Sequence, residues 1–274
     1  MKAFFITLIS FLVINPSFAL NPVREYPVTP ADYGMDYNNI RVKTSDNMML
    51  QVWFFKATDK LSRKVIILSD DGDGNMADLI EYASNFLSLG YNVVTYDYRG
   101  YGKSDDFPIN NNFFMYSQFQ KDLEGVLDWV KRDYPSLKTI HLFGLGIGGG
   151  LSIGIGCNRA EISRIIADSP YSTFELTEKR YMDVYGQKVM MPLGYDKTFL
   201  EPYYAMSEKG SGLQGILLIC GADDKIFTPT DMKELYKLKK SITSIYTVAG
   251  ATSKTTYTTS KQAYFAEIKK FLGQ

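Results

Sequence analysis

The chain has 274 residues, 45% of them hydrophobic, with 30 basic and 30 acidic side chains. That supplies one full α/β domain with its core and excludes a chain disordered as a whole. A net charge of zero gives no electrostatic ground for nucleic acid or an anionic membrane as partner, and the single histidine, His141, excludes a multi-histidine metal site and leaves one imidazole for base chemistry.

The N-terminus carries Lys2, then an apolar run from Ala3 to Ile14, then Asn15-Pro16-Ser17-Phe18-Ala19. A positive start, a short apolar segment and small residues at −3 and −1 make residues 1–19 a secretory signal peptide cut after Ala19. The run is shorter than the ~20 residues a spanning helix needs. No later stretch is long and apolar enough, so no integral membrane insertion is expected after cleavage. The mature protein is then exported, to a periplasm or the extracellular space. Such compartments are oxidising, which makes Cys157 and Cys220 a pair to test. Cys157 falls about three turns into a helix, ~16 Å from its start, whereas Cys220 ends a strand at the opposite rim. A disulfide tolerates Cα separations only to ~7 Å, so two buried free thiols are expected.

Residues 20–274 read as a single domain. Leu20 to Asn38 is an irregular arm, and Ile40–Thr44 with Met48–Phe55 form an antiparallel hairpin around Ser45-Asp46-Asn47. From Lys64 the pattern changes. Val65-Ile66-Ile67-Leu68 is a strand buried on both faces, and Met76 to Leu89 is a helix stopped by Gly90. Val93–Tyr96 is a strand, Ser117–Arg132 an amphipathic helix, Thr139–Phe143 a strand, and the segment from Ile147 to about Cys157 a glycine-rich helix. Ile165–Ala167 and Ile216–Ile219 are strands, Asp231–Leu238 a helix, Ser244–Val248 a strand and Thr259–Leu272 a closing helix. Strands alternating with helices imply an α/β domain with a mainly parallel central sheet and helices on both faces. The interval 171–214 interrupts the alternation and is expected to form a small cap over the sheet's carboxyl rim.

Five ordered segments carry a family likeness. Tyr96-Asp97-Tyr98-Arg99-Gly100-Tyr101-Gly102-Lys103-Ser104 follows a strand directly, and Ser69-Asp70-Asp71-Gly72-Asp73-Gly74-Asn75 follows the strand before it. Gly144-Leu145-Gly146-Ile147-Gly148 has the spacing of a G-x-S-x-G nucleophile elbow. Asp168-Ser169-Pro170-Tyr171 and Gly221-Ala222-Asp223-Asp224 stand at later strand ends. Over roughly Ile40 to Leu272 the chain resembles the α/β-hydrolase superfamily, in particular its serine-peptidase-like and Bem46-like members. The resemblance implies an α/β-hydrolase fold. Fold alone does not imply activity.

Carried over position by position, the family's chemistry meets substitutions. The nucleophile position is Gly146, which has no side chain to attack a carbonyl. Ser152, six residues on, lies inside the helix. The acid position is Asp224, whose role in the family is to orient and stabilise an imidazole. Gly250-Ala251-Thr252-Ser253 stands where the family's histidine turn falls, which puts Ser253 at the imidazole position, and His141 sits in the strand ~10 Å below the rim. Asp71 replaces the oxyanion-loop histidine, and an ionised carboxylate there opposes a developing oxyanion. Asp71, Gly72, Leu145 and Ile147 are the candidates for the remaining oxyanion loop and pocket.

The acidic rim also matches the first positions of a calcium loop through Asp71, Asp73 and Asn75. Met76 and Tyr82 occupy the positions where such a loop needs glycine and an acid, which rules out an EF-hand. Asp71, Asp73, Asn75 and Asp224 remain weak oxygen-ligand candidates; no metal and no cofactor is expected. The favoured reading is an exported protein without a Ser-His-Asp triad that binds an unidentified small molecule or protein. A divergent hydrolase using Ser253, Ser169 or metal-bound water is the alternative. A surface-interaction role through Tyr181, Tyr185, Tyr203 and Tyr204 is a third.

Overall fold

The computed structural model describes residues 20–274. The expected signal peptide and its expected cleavage position lie outside the described residues. In chain order the elements are β1 (Asn21–Pro22), β2 (Asn38–Lys43), β3 (Met49–Phe55), β4 (Lys64–Ser69), β5 (Asp73–Gly74), α1 (Ile80–Ser88), β6 (Asn92–Tyr96), α2 (Phe119–Asp133), β7 (Thr139–Leu145), α3 (Gly146–Asn158), β8 (Ile162–Asp168), α4 (Phe174–Tyr185), α5 (Lys197–Leu200), α6 (Pro202–Glu208), β9 (Gly215–Gly221), α7 (Pro229–Leu238), β10 (Thr243–Val248), α8 (Thr256–Thr259) and α9 (Lys261–Leu272).

Eight strands form one sheet in the order β10-β9-β8-β7-β4-β6-β3-β2. Only β3 runs against its neighbours β2 and β6; the other pairings are parallel. The apolar run of β4 explains why both faces are covered. Side chains alternate along a strand, so Val65 and Ile67 enter the core shared with α2, α3 and α7, while Ile66 and Leu68 enter the core shared with α1 and α9. Ile165 and Ala167 against Ile166 repeat the division in β8, as Ile216 and Leu218 against Leu217 do in β9.

Two expected helices differ in detail. The first turn, Met76–Leu79, is a tight 3-10 turn capped by Asn75 and Asp78 before α1 continues. The closing helix is interrupted at Ser260, so α8 and α9 are separate. The run Thr255-Thr256-Tyr257-Thr258-Thr259 is rich in β-branched residues that lose χ1 freedom in a helix, which weakens propagation there. The glycine-rich helix begins at Gly146, one residue earlier than its pattern suggests, and the interval 171–214 holds α4, α5 and α6.

The arm is ordered by pairing. β1 lies parallel to β5, and the Asn75 amide donates to the Val23 and Glu25 carbonyls at 3.1 and 2.9 Å. Tyr26 donates its hydroxyl to the buried carboxylate of Asp97, which also accepts the Met76 N–H at 2.9 Å. The arm therefore fixes the loop between β4 and α1 from outside.

Arg99, from the loop after β6, is buried to 2% exposure and makes no contact with the cavity described below. Its guanidinium donates to Asp122 of α2 (2.7 and 2.9 Å) and to Asp46 of the hairpin turn (2.8 and 2.9 Å), and its own N–H donates to Asp122 at 3.0 Å. Removing Asp122 leaves the buried guanidinium with Asp46 as its remaining counter-charge and the Arg99 N–H without its acceptor. The Asp122→Ala protein is expected to lose about 3–5 kcal/mol of unfolding free energy, measured by urea denaturation at pH 7; a loss within experimental error would show that Arg99 is satisfied without α2.

Candidate functional site

The carboxyl ends of β4, β7, β8 and β9 and the turn after β10 surround a cavity of 470 Å³, roofed in part by α4. That lies within the usual range of about 300–1,000 Å³ for small-molecule sites. Its floor is the turn from β7 into α3. Gly146 occupies that turn with φ of +49°, in the left-handed region that glycine adopts without a Cβ penalty. Gly148, two residues further, lets α3 approach the sheet edge: a Cβ there would stand 2.4 Å from the Ser69 carbonyl oxygen and 2.5 Å from that of Asp70. The helix N-terminus is thus pressed against the loop that carries Asp71.

Asp71 lies across the turn. A Cβ on Gly146 would be 3.0 Å from the Asp71 Cβ. The Asp71 carboxylate faces neither α3 nor open solvent alone: Lys254 donates from Nζ to Asp71 Oδ2 at 2.7 Å and to Asp73 Oδ2 at 3.0 Å. These two carboxylates, Asp71 foremost, hold the Lys254 ammonium protonated well above the usual range against the opposing effect of burial. A cation does sit between Asp71 and Asp73, and it belongs to the protein.

The other metal candidates are turned elsewhere. Asn75 accepts the Ala77 N–H at 3.0 Å through its side-chain oxygen and gives its amide to the arm. Asp224 is enclosed by its own loop and the next: Ile226 and Phe227 donate their N–H groups to Oδ1 at 2.7 and 2.6 Å, and the Ser253 N–H donates to Oδ2 at 2.5 Å. Among the described residues no group of three or more His, Cys, Asp or Glu side chains could hold a metal ion.

The remaining expectations divide. Leu145, Gly146, Ile147, Asp71, Asp224 and Ser253 all line the cavity. Gly72 does not, contrary to its place among the pocket candidates: its N–H donates to Asp70 Oδ1 at 2.8 Å and its carbonyl accepts from the Asn21 N–H and the Tyr101 hydroxyl. Ser169 is buried, gives its hydroxyl to Asp168 at 2.8 Å and does not line the cavity. Ser152 is buried within α3. Cys157 and Cys220 are free and buried, and burial pushes the Cys157 thiol up to about 12. The tyrosine patch does not form as one surface. Tyr181 is turned inward to the cavity, while Tyr185 and Tyr203 are exposed.

Three cavity residues that the sequence did not place at the site, Lys254, Thr256 and Tyr82, matter here, as does Tyr264 outside the lining. Lys254 follows the imidazole position directly, and the unbalanced charge of the acidic loop was the one available sign that a cation must meet it. Thr256 and Tyr264 donate to Asp168 Oδ2 at 2.6 and 2.8 Å, and burial pushes the Asp168 carboxyl up to about 6 although these hydroxyls favour its charged form. Tyr82, on α1, reaches the cavity from a helical position that reads as ordinary core.

With this geometry in hand, comparisons with known proteins place the chain. The family described as serine aminopeptidase, S33, matches residues 62–191. The alpha/beta hydrolase domain-containing protein WAV2 of Arabidopsis thaliana is 25% identical over 223 residues, covering 78% of this chain and 70% of that protein. Protein bem46 of Schizosaccharomyces pombe is 27% identical over 167 residues, 60% of this chain and 54% of that one. Among solved structures, the Pyrococcus furiosus esterase Pf2001 superposes with a TM-score of 0.70 at 23% identity, covering 93% of this chain and 96% of that chain. The fold is that of the α/β hydrolases, and these likenesses support a place in that superfamily's Bem46-like branch.

His141 stays in the body of the sheet on β7, between Ile66 and Arg164, with its ring centroid 5.6 Å from that of Tyr91. Among the described residues its buried Nδ1 has no hydrogen-bond partner. Burial pushes the imidazole down from its ordinary 6.5 to about 4. A histidine that must stay neutral when folded contributes full stability above 6.5, and that contribution is lost as pH falls from 6.5 toward 4. Between pH 7 and pH 5 the loss is about 2 kcal/mol. The His141→Phe protein is expected to lose less stability over that interval by about this amount; equal losses in both proteins, read by urea unfolding at each pH, would refute it.

Proposed function

We propose that the protein is an exported, non-catalytic member of the superfamily that holds a ligand in the cavity above Gly146. The observation that carries this reading is the composition of the floor. At the turn that would present a nucleophile there is a backbone with no side chain, and Asp71, ion-paired with Lys254, lies across it. Three further features support it. Ser253, at the imidazole position, contributes a backbone N–H to Asp224 rather than a base. Asp224 is saturated by three backbone donors, so a structural task accounts for its presence without catalysis. His141 is locked in the sheet. Export rests on the N-terminal sequence pattern.

The purified protein is expected to show no fluorophosphonate labelling and no turnover of p-nitrophenyl butyrate above the uncatalysed rate. Gly146→Ser is expected to cost about 1–2 kcal/mol, because a Cβ enters the left-handed region, and to gain no activity, because residue 253 offers no imidazole. A covalent fluorophosphonate adduct on the native protein, or steady ester turnover that the reagent abolishes, would overturn the reading.

A further inference from the structure

The helix that roofs the cavity is thinly anchored. Of the 12 residues of α4 only Phe174, Thr177 and Tyr181 are buried, and Met182 through Tyr185 are all exposed. An element with so few buried contacts sits at the low end of local stability and opens before the core does. Its start is fastened where the Phe174 N–H donates to buried Glu201 at 2.9 Å, and the chain beyond it where the Phe114 N–H donates to the Met190 carbonyl at 2.8 Å. Between those points, among the described residues, Arg180 is the only α4 side chain that hydrogen-bonds outside the interval 171–214.

That side chain joins the roof to the body of the domain. Arg180 Nη2 donates to Asp231 Oδ1 of α7 at 2.7 Å and Nη1 to Oδ2, and Nη1 also donates to the Ile226 carbonyl at 2.8 Å. The pair is sheltered, with side-chain exposures of 19% for Arg180 and 7% for Asp231. Two parallel bonds to one carboxylate use the planar fork that lysine lacks. Asp231 is itself fixed, because it accepts the Thr228 N–H at 3.0 Å in the cap of α7.

The Ile226 carbonyl is fixed from the other side. Ile226 and Phe227 line the cavity and donate their N–H groups to Asp224, which also accepts the Ser253 N–H. An unbroken hydrogen-bonded path therefore runs from the turn after β10, through Asp224 and Ile226, to Arg180 on the roof. We propose that Arg180 latches α4 over the cavity and that Asp224 is a positioning residue for this latch, so that the two together set how readily a ligand enters. This rests on the binding role assigned above and adds the control of access to it.

Access is read with a thiol placed beneath the roof. Ile147 lies on the cavity floor at 2% exposure. In an Ile147→Cys protein the rate of N-ethylmaleimide labelling at residue 147, separated by peptide mass from buried Cys157 and Cys220, reports opening. Adding Arg180→Met is expected to raise that rate at least about tenfold, because bonds to a charged group are lost. Arg180→Lys keeps the charge without the fork and is expected to raise it too. Asp224→Asn is expected to raise it about threefold to tenfold, and to add little once Arg180→Met is present. Without the added thiol, hydrogen exchange of the Arg180→Met protein is expected to quicken in residues 174–185 and to stay unchanged in β8 and α3. A labelling rate or an α4 exchange rate unchanged by Arg180→Met would overturn the proposal. Quickening spread evenly over the sheet would do the same, since the pair would then hold the fold and not the roof. Fully additive effects of Asp224→Asn and Arg180→Met would remove the positioning role of Asp224. Fluorophosphonate labelling of the native protein would instead remove the non-catalytic reading and leave the latch standing.

Discussion

The close seating of α3 on the sheet governs most of what the site can be. At Gly148 the helix backbone comes so near the carbonyls of Ser69 and Asp70 that no side chain fits between them. That contact aligns the end of β7, the start of α3 and the loop after β4 as one packed unit with no room for independent movement. The position of Asp71 over Gly146 is then a consequence of backbone packing, and it needs no force of its own. The N-terminal arm completes the arrangement by pairing with β5 and holding Asn75, so the acidic loop is clamped from the inside by α3 and from the outside by the arm.

Given that geometry, the electrostatics follow a simple rule: a carboxylate near a dry cavity must be paired, hydrogen-bonded or neutralised. Asp71 and Asp73 are paired by one ammonium, Asp224 is hydrogen-bonded by three peptide groups, and Asp168 combines three hydroxyl donors with a carboxyl pushed up to about 6 by burial. Each solution occupies carboxylate oxygens that a catalytic or metal-binding role for that residue would need.

The fold was readable because its signals are local and repeated. The continuous apolar runs of β4, β8 and β9 with alternating destinations, the turn at Ser45-Asp46-Asn47 and the glycine spacing around Gly146 each declare their element within a few residues. Family spacing put Asp224 and Ser253 at the carboxyl rim, and both residues line the cavity. What escaped are relations between distant segments. Lys254 meets Asp71 across 183 positions of sequence, and no periodicity announces such a pairing. Gly72 was misplaced because its peptide is occupied by Asp70, Asn21 and Tyr101, a set of partners known only once the arm is docked. Tyr82 and Tyr181 sit at helical positions where an aromatic ring usually means core, and only the folded chain shows that both line the cavity.

The persistence of Asp224 beside a glycine and a serine is instructive in this light. In a triad the acid acts through an imidazole, and on the proposed non-catalytic reading Asp224 has no imidazole to act through. Its three peptide partners do not disappear. They join the turn after β9 to the turn after β10, and removing the carboxylate would leave three N–H groups to be satisfied some other way. At Gly146 the balance runs in the opposite direction. A serine there would hold a strained left-handed conformation only for the sake of reactivity, whereas glycine adopts it freely. On the proposed reading, then, stability alone accounts for a rim that holds a carboxylate whose removal would loosen the structure and a glycine where a side chain would add strain.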